Sequence, residues 1–339
     1  MYGAIGYYDW MIPSNREAFE LPPTFDIADS STGGAVVGSL DTISSELMTS
    51  FYGRNGLDES LNESFRIDIR TNATVLGETQ ATYGAIAALG VKLRANGTSI
   101  YHPAKVTITI DANAGAYGGG TVYSKVLYLA AADPTGSAAY PNRSAVVFPW
   151  ESAMTDTTRR NGGRGGSSRN KIRIKIEPTG SVAVGLYDVM LTRVMVPRCF
   201  FCRIGNGSLL EGVNDESDVQ RSYSGYPYVN KKRILRRVSG TFVDLTKPFV
   251  YGTEGTTEVD ASVRAVNGFA GRSTNVLFAP RLAPPADETS SGAYLAAWSN
   301  EHVIGLMDAP LTAQLQTVIN EPDKMLWNAS FAILETPMP

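Results

Sequence analysis

Lys171-Ile172-Arg173-Ile174-Lys175-Ile176 alternates charged and apolar residues without interruption. In an extended strand, successive side chains point to opposite faces, so the three isoleucines share one face and the three cations share the other. The same alternation recurs in Arg66-Ile67-Asp68-Ile69-Arg70 and in Lys105-Val106-Thr107-Ile108-Thr109-Ile110. These three stretches therefore predict strands with one buried side and one side that faces solvent.

The composition indicates that such strands are joined by many turns. The 339 residues include 33 glycines and 18 prolines, and hydrophobic residues make up 43% and charged residues 19% of the chain. This balance is typical of a folded protein and favours turns over long helices. We therefore predict a mainly β fold, with antiparallel β-sandwiches, few short helices and long loops.

The chain divides by composition into three segments. Residues 1–35 are rich in aromatic residues and proline and predict an extended N-terminal arm, because proline prevents a long helix. Residues 36–239 predict a β-sandwich domain, and residues 240–339 predict a second, smaller β region. Two interpretations of the arm stay open: it covers an edge of its own core, or it crosses to another subunit. On the second interpretation, removal of residues 1–30 leaves a folded protein that assembles poorly.

Three local patterns refine this outline. Apolar residues recur at helical spacing in residues 36–50 and predict a helix there, and residues 311–319 predict a second, shorter helix. Residues 326–334 carry apolar side chains on both faces of an extended chain. That pattern predicts a strand in the middle of a sheet.

An aromatic segment and a basic loop are the candidate contacts with neighbouring subunits. The loop at residues 159–170 combines glycines with arginines that repel one another, which favours an open conformation. Aromatic side chains of the N-terminal segment are costly to leave in water, so we expect them to dock on protein. The candidate interface residues are Tyr7, Tyr8, Trp10, Phe19, Phe25, Arg159, Arg160 and Arg164.

We find no residue pattern that catalysis, a cofactor or a metal requires. The chain has two histidines, His102 and His302, and no Gly-x-Ser-x-Gly nucleophile motif. Cys199 and Cys202 lie in a strand-like stretch, where side chains three residues apart face opposite sides, so we expect buried free thiols. No second cysteine pair exists to complete a metal site. We therefore expect a protein that is not an enzyme and holds no cofactor or metal.

Aromatic and basic residues lie close together in one further stretch. The basic residues 231–237 follow Tyr223, Tyr226 and Tyr228, which form a candidate contact for a sugar or a protein partner. The interpretation that we favour is a solvent-facing strand or a charged contact between subunits. The formal net charge of −3 provides no attraction for DNA, so we expect no specific nucleic-acid binding.

The amino-acid sequence shows neither a secretory signal nor a membrane-spanning stretch. The N-terminus has neither a basic start nor a sufficient apolar stretch for a secretory signal. No apolar run reaches the length that a membrane helix needs. We therefore expect synthesis in a cytoplasm and no membrane insertion.

The C-terminal part contains Asn275-Val276-Leu277-Phe278-Ala279-Pro280-Arg281, Tyr294-Leu295-Ala296-Ala297-Trp298 and Trp327-Asn328-Ala329-Ser330-Phe331-Ala332-Ile333-Leu334-Glu335. Together with the aromatic N-terminal segment and the glycine-punctuated strands, these stretches resemble structural proteins of tailed bacteriophages, of the distal-tail or baseplate type. The resemblance implies a β-sandwich without a cofactor that assembles with copies of itself into a ring. The ring would lie in the virion, at the end of the tail tube, and join it to the hub or to host-binding parts made of other tail proteins.

Three other functions stay open at this point. The chain could form another part of a virion, such as a collar, a decoration protein or a capsid jelly roll. It could be a carbohydrate-binding adhesin that stacks sugars on Trp150 or on the three tyrosines near residue 226. A hydrolase with an unrecognised site is the remaining alternative.

Overall fold

A computed structural model describes residues 2–17, 24–45, 50–72, 82–111, 121–129, 144–149, 159, 163–165, 171–179, 184–215, 218–221, 227–230, 234–252, 261–270, 274–283, 301–316 and 325–336. Within these ranges the chain is mainly β, with several antiparallel sheets and short helices, which confirms the predicted fold class. The strands in chain order are β1 (Tyr2–Asp9), β2 (Thr24–Asp29), β3 (Ala35–Val37), β4 (Tyr52–Asp58), β5 (Phe65–Asn72), β6 (Thr82–Tyr83), β7 (Ile86–Leu89), β8 (Lys92–Ala95), β9 (Ala104–Asp111), β10 (Thr121–Leu129), β11 (Ala145–Val147), β12 (Arg164–Gly165), β13 (Lys171–Pro178), β14 (Leu186–Leu191), β15 (Arg193–Met195), β16 (Pro197–Ile204), β17 (Leu210–Asp215), β18 (Asp218–Arg221), β19 (Pro227–Asn230), β20 (Ile234–Leu245), β21 (Val276–Ala279), β22 (Val303–Gln316) and β23 (Leu326–Glu335). The helices are α1 (Pro13–Glu17), α2 (Lys247–Tyr251) and α3 (Val263–Phe269), and there are 3-10 turns at Leu40–Ser44 and Glu59–Leu61.

The three alternating stretches of the sequence are neighbouring strands. β9, β13 and β5 lie side by side in an antiparallel five-stranded sheet with the order β10-β9-β13-β5-β2. Ile174 of β13 lies opposite Ile67 of β5 and Ile108 of β9, and all three side chains are buried. The alternation constrains the register, because a shift by one residue would turn the charged face toward the core.

A four-stranded antiparallel sheet, in the order β3-β4-β14-β8, packs against the five-stranded sheet. The ring of Tyr52 on β4 lies 6.0 Å from the ring of Phe65 on β5. The hydroxyl of Tyr187 on β14 donates a hydrogen bond of 2.5 Å to the carbonyl of Glu63. Apolar side chains of both sheets belong to one hydrophobic core, so the two layers form a sandwich-like unit.

The remaining long strands form a sheet that closes on itself. Its order is β16-β1-β21-β22-β23-β20, and β20 pairs again with β16 at Phe242 and Val243, while β17 continues along β20. Phenylalanine rings fill its interior: Phe242 lies 5.5 Å from Phe200 and 4.7 Å from Phe331. Phe331 in turn lies 4.9 Å from Phe278. Each such ring pair contributes about 0.5–1.5 kcal/mol beyond the burial of its area.

A three-stranded sheet, β11-β7-β15, packs on the other side of β16. Phe200 of β16 belongs to the main core, whereas Phe201 belongs to a second apolar cluster shared with this sheet. In that cluster Phe148 meets Phe201 edge to face at 6.3 Å. β16 is therefore buried on both faces, which explains why its sequence lacks polar alternation.

The closed sheet combines strands from all three segments expected from composition. β1, from residues 1–35, pairs with β16 on one side and β21 on the other, so it is an internal strand and not an extended arm. β20 crosses the expected boundary between residues 239 and 240. These boundaries were placed by local composition, whereas the sheet is built from pairings between residues that are far apart in the sequence.

Both predicted helices are wrong over the residues that the structure describes. Within residues 36–50 the chain forms the end of β3 and the 3-10 turn Leu40–Ser44. Residues 311–316 belong to β22, which pairs with β23 across them. Parts of both stretches lie outside the described residues. The strand predicted at residues 326–334 is confirmed as β23, in the middle of the sheet. The backbone pairing of residues 311–316 with β23 outweighs their weak helical spacing.

Candidate interaction sites

Four of the predicted interface aromatics belong to the protein's own core. Tyr7, Tyr8, Trp10 and Phe25 are between 2% and 4% exposed. Trp10 stacks on Phe25 at 5.9 Å and meets Tyr8 edge to face at 5.0 Å, and Phe269 of α3 lies 4.7 Å from Tyr8. Burial, the largest influence, raises the pKa of Tyr8 to about 12. The structure corrects the prediction for these four residues, because packing within the subunit leaves them almost no surface for a neighbour.

A buried ion pair holds the end of β1 beside these rings. Arg193 of β15 donates from Nη2 to Oδ2 of Asp9 at 2.7 Å, and both side chains are fully buried. Oδ1 of Asp9 accepts the backbone N–H groups of Met11 at 3.1 Å and Val196 at 2.9 Å. One carboxylate thereby joins β1 to the three-stranded sheet. Sequence reasoning missed the pair, because an isolated Asp and an isolated Arg 184 positions apart form no local pattern.

The predicted basic loop is described only at a few residues. Arg159 is the one predicted interface arginine whose side chain the structure describes. Arg164 lies in β12, and its backbone pairs with β6. Phe19 and Arg160 lie outside the described residues.

Arg159 lies in a cavity of about 220 Å³ beside the start of β1 and the end of β20. Its guanidinium carbon is 5.0 Å from the ring centroid of Tyr2 and 5.4 Å from that of Phe249 in α2. Cation–π contacts of this kind contribute about 0.5–1 kcal/mol where solvent has access. Another part of the cavity is formed by Arg203 and Asp244, an ion pair of 3.1 Å in which both side chains are more than half exposed.

The two cysteines are free and buried, which confirms the sequence prediction for them. They face opposite sides of β16: Cys202 belongs to the main core and Cys199 to the second cluster. Burial raises the pKa of both thiols, and the charge of Arg159 opposes this rise only partly at Cys202. Both groups are therefore neutral thiols near neutral pH and poor nucleophiles.

The predicted sugar contact falls largely outside the described residues. Tyr223 and Tyr226 lie outside them, and Tyr228 is described only through the backbone of β19, which pairs with β18. Trp150 lies outside as well.

His302 is buried, and its ring lies 6.5 Å from that of Phe148.

Three large aliphatic side chains are exposed at one end of the four-stranded sheet. We call Leu61, Ile100 and Leu186, which are 68%, 60% and 51% exposed, the apolar tip. Leu186 begins β14, and its carbonyl accepts the N–H of Asn96 at 2.9 Å, while the carbonyl of Ile100 accepts the N–H of Ala95 at 3.2 Å. The turn that contains Leu61 follows β4 at the same end. No periodic pattern marks these residues, because they lie in turns and at a strand end.

A second exposed apolar group lies on the closed sheet. We call Tyr251, Leu315 and Met325, which are 54%, 55% and 57% exposed, the hairpin group. Two of them lie beside Trp327 of β23: the ring of Tyr251 meets the indole edge to face at 6.0 Å, and Leu315 of β22 lies opposite Trp327 in register. Met325 immediately precedes β23. The hairpin group and the apolar tip are therefore carried by different sheets.

Two other kinds of feature are missing from the part of the chain that the structure describes. No group of three or more His, Cys, Asp or Glu residues there is placed to hold a metal ion. None of the helices in the described ranges combines the length and the apolar character needed to cross a lipid bilayer.

The chain matches no known protein-family model, and a comparison with curated protein sequences finds no match. The fold places it in a structural class, that of mainly β proteins built from antiparallel sheets.

Proposed function

We propose that this protein is a structural subunit of a tailed-phage virion, of the distal-tail or baseplate type. Copies of the chain assemble into a symmetric ring that joins the tail tube to the hub or to host-binding parts. The antiparallel scaffold and the sequence resemblance support the phage setting. The two exposed apolar groups support the ring.

The observation that carries the proposal is that the apolar tip and the hairpin group are different surfaces on different sheets. A ring is closed by head-to-tail contacts, in which one patch of a subunit meets a different patch of the next. Large apolar side chains that are more than half exposed are stabilised when a neighbour covers them. A subunit with two such groups has the two different surfaces that a head-to-tail contact requires.

The first experiment measures the mass of the purified protein by mass photometry over a range of concentrations. We expect a closed oligomer for the unchanged chain and smaller species for a tip variant, Leu61→Ser with Ile100→Ser. A hairpin variant, Leu315→Ser with Met325→Ser, should be impaired in the same way. The control is Leu210→Ser, because Leu210 is 65% exposed on β17 but belongs to neither group.

Mixing the two variants tests the head-to-tail arrangement. Each variant retains one intact surface, so an equimolar mixture should form heterodimers through the single remaining contact and should not form rings. A monomer at all concentrations for the unchanged chain would overturn the assembly proposal. Equal effects of Leu210→Ser and the tip variant would show that the two groups are not the contacts.

The place in the virion needs a separate measurement. Antibodies against the purified protein should label the tail tip of phage particles whose genome encodes the chain, as seen by electron microscopy. Labelling of the capsid or of the collar would instead favour another virion part. Particles that lack the protein by mass spectrometry would overturn the structural role.

A further inference from the structure

We propose that Asn206, which Gly207 follows, is a site of spontaneous deamidation. The sequence contains five asparagines followed by glycine: Asn55, Asn96, Asn161, Asn206 and Asn267. Asn161 lies outside the described residues. Of the other four, Asn206 is the one at which the fold leaves both reacting groups without a hydrogen bond, as shown below. The reaction needs only one chain and water, so it does not depend on ring assembly.

Deamidation begins with an attack by the backbone nitrogen of the residue that follows the asparagine. This nitrogen loses its proton and forms a bond to the side-chain carbonyl carbon, while the bond from that carbon to the amide nitrogen breaks. The amide nitrogen takes up a proton and leaves as ammonia, and a five-membered succinimide remains. Water then opens the succinimide at either of its carbonyls to give aspartate or isoaspartate. Glycine favours the attack because it has no Cβ beside the nitrogen.

Asn206 and Gly207 lie in an exposed turn between β16 and β17. Within the described part of the chain, neither the side-chain amide of Asn206 nor the N–H of Gly207 forms a hydrogen bond. Gly207 has a φ of 71°, and a Cβ placed on it would meet no atom within 4 Å. The turn is held instead by Ser208, whose N–H donates to the carbonyl of Gly205 at 3.1 Å. The two reacting groups can therefore approach each other without breaking a hydrogen bond.

One buried carboxylate restrains two of the other pairs. Oδ1 of Asp188 accepts the N–H of Gly56 at 3.0 Å and the side-chain amide of Asn96 at 2.7 Å. The first bond engages the nitrogen that would attack Asn55, and the negative charge beside it opposes loss of its proton. The second bond fixes the carboxamide of Asn96. Asp188 is itself 1% exposed and is bound through Oδ2 by Arg94 at 3.0 Å, so its position is fixed.

The fourth described pair is restrained by a neighbouring strand and by its own helix. The carboxamide of Asn267 donates to the carbonyl of Leu311 at 2.9 Å and accepts the N–H of the same residue at 2.8 Å. Gly268, which would supply the attacking nitrogen, lies within α3. Attack at Asn267 would therefore require two hydrogen bonds to break and the helix to open.

The experiment follows deamidation of the unchanged protein over time at mildly alkaline pH, with and without guanidinium chloride. Peptide mapping by mass spectrometry gives a separate rate for each asparagine. We expect Asn206 to react about as fast in the native protein as in the unfolded chain. Asn55, Asn96 and Asn267 should react slower in the native protein by about tenfold or more, because hydrogen bonds must break first. The native rate at Asn206 should rise with pH, because the attacking nitrogen must lose its proton.

Asp188→Ala tests the cause of the restraint. It should raise the native rates at Asn55 and Asn96 by about tenfold or more and leave those at Asn206 and Asn267 unchanged. Unchanged rates at Asn55 and Asn96 would contradict the restraint by Asp188. Faster reaction at Asn267 as well would show that the variant is unfolded, and the comparison of native and unfolded rates in the unchanged protein then decides. A native rate at Asn206 that is as low as those of the other three pairs would overturn the proposal.

Discussion

Replacement of Asp9 tests the most consequential contact in the fold. Its carboxylate binds the buried Arg193 at 2.7 Å and accepts two backbone N–H groups, those of Met11 and Val196. Asp9→Ala would leave a buried guanidinium without its counter-charge and two backbone donors without their acceptor. We therefore expect a large loss of stability rather than the small loss that is usual for a surface ion pair.

The expected magnitude follows from these three lost contacts. Removal of one partner of a buried ion pair costs about 3–5 kcal/mol, and each unsatisfied backbone donor costs about 1–3 kcal/mol. Because the three contacts share one carboxylate, their losses are not independent, and we expect about 5 kcal/mol for Asp9→Ala rather than the full sum. Asp9→Asn retains an oxygen for the backbone donors and should lose about 3 kcal/mol.

The assay is urea unfolding at equilibrium, followed by tryptophan fluorescence, in which Trp10 contributes to the signal from the region next to the pair. The double variant Asp9→Asn with Arg193→Met should lose less than the sum of the two single losses, because neither charge is then left buried alone. Losses below about 1 kcal/mol for Asp9→Ala would refute the reasoning. So would strict additivity in the double variant.

Three further outcomes are expected. Removal of residues 1–30 should abolish cooperative thermal unfolding as measured by circular dichroism, because β1 is an internal strand of the closed sheet; a truncated chain that melts like the full one would contradict this. Asp29→Asn should cost about 1–2 kcal/mol at pH 7. Although burial alone would raise the pKa of Asp29, hydrogen bonds from Ser31 and Tyr52 hold this pKa below its unfolded value of about 3.9. The stabilisation by Asp29 is therefore complete above about pH 4 and is lost as the pH falls through the folded pKa. A stability difference between the unchanged protein and Asp29→Asn that grew in acid would contradict this. Cys199 and Cys202 should react with a thiol reagent only in denaturant, and rapid labelling of the native protein would contradict their burial.

Local alternation predicted the sandwich-like part of the fold well. Ile172, Ile174 and Ile176 point to the core as their spacing indicates, and the strands before and after β13 in the sheet were identified by the same pattern. Alternation is informative because a pleated strand exposes its two faces to different surroundings over a few residues. The spacing of Cys199 and Cys202 was informative for the same reason.

The candidate sites could not be predicted in this way. Aromatic residues in a proline-containing segment indicated an extended arm with candidate contacts to a neighbouring subunit, whereas in the structure Phe269 of α3 packs against Tyr8 within the same chain. The cavity brings Tyr2, Arg159 and Phe249 together, and nothing near any one of these residues indicates the other two. The predicted role of Arg159 as an interface residue stays a prediction.

The amino-acid sequence by itself determined where the regularly alternating strands lie, which side of each of them is buried and that the cysteines are buried. Only the tertiary structure decided that β1 and β20 close a sheet, that Asp9 meets Arg193 and that a cavity forms beside Arg159. The physical reason is that the side on which a residue is buried depends on its immediate neighbours in the chain. Which strand lies beside a given strand depends instead on which of many segments far away in the sequence completes its packing and its backbone hydrogen bonds.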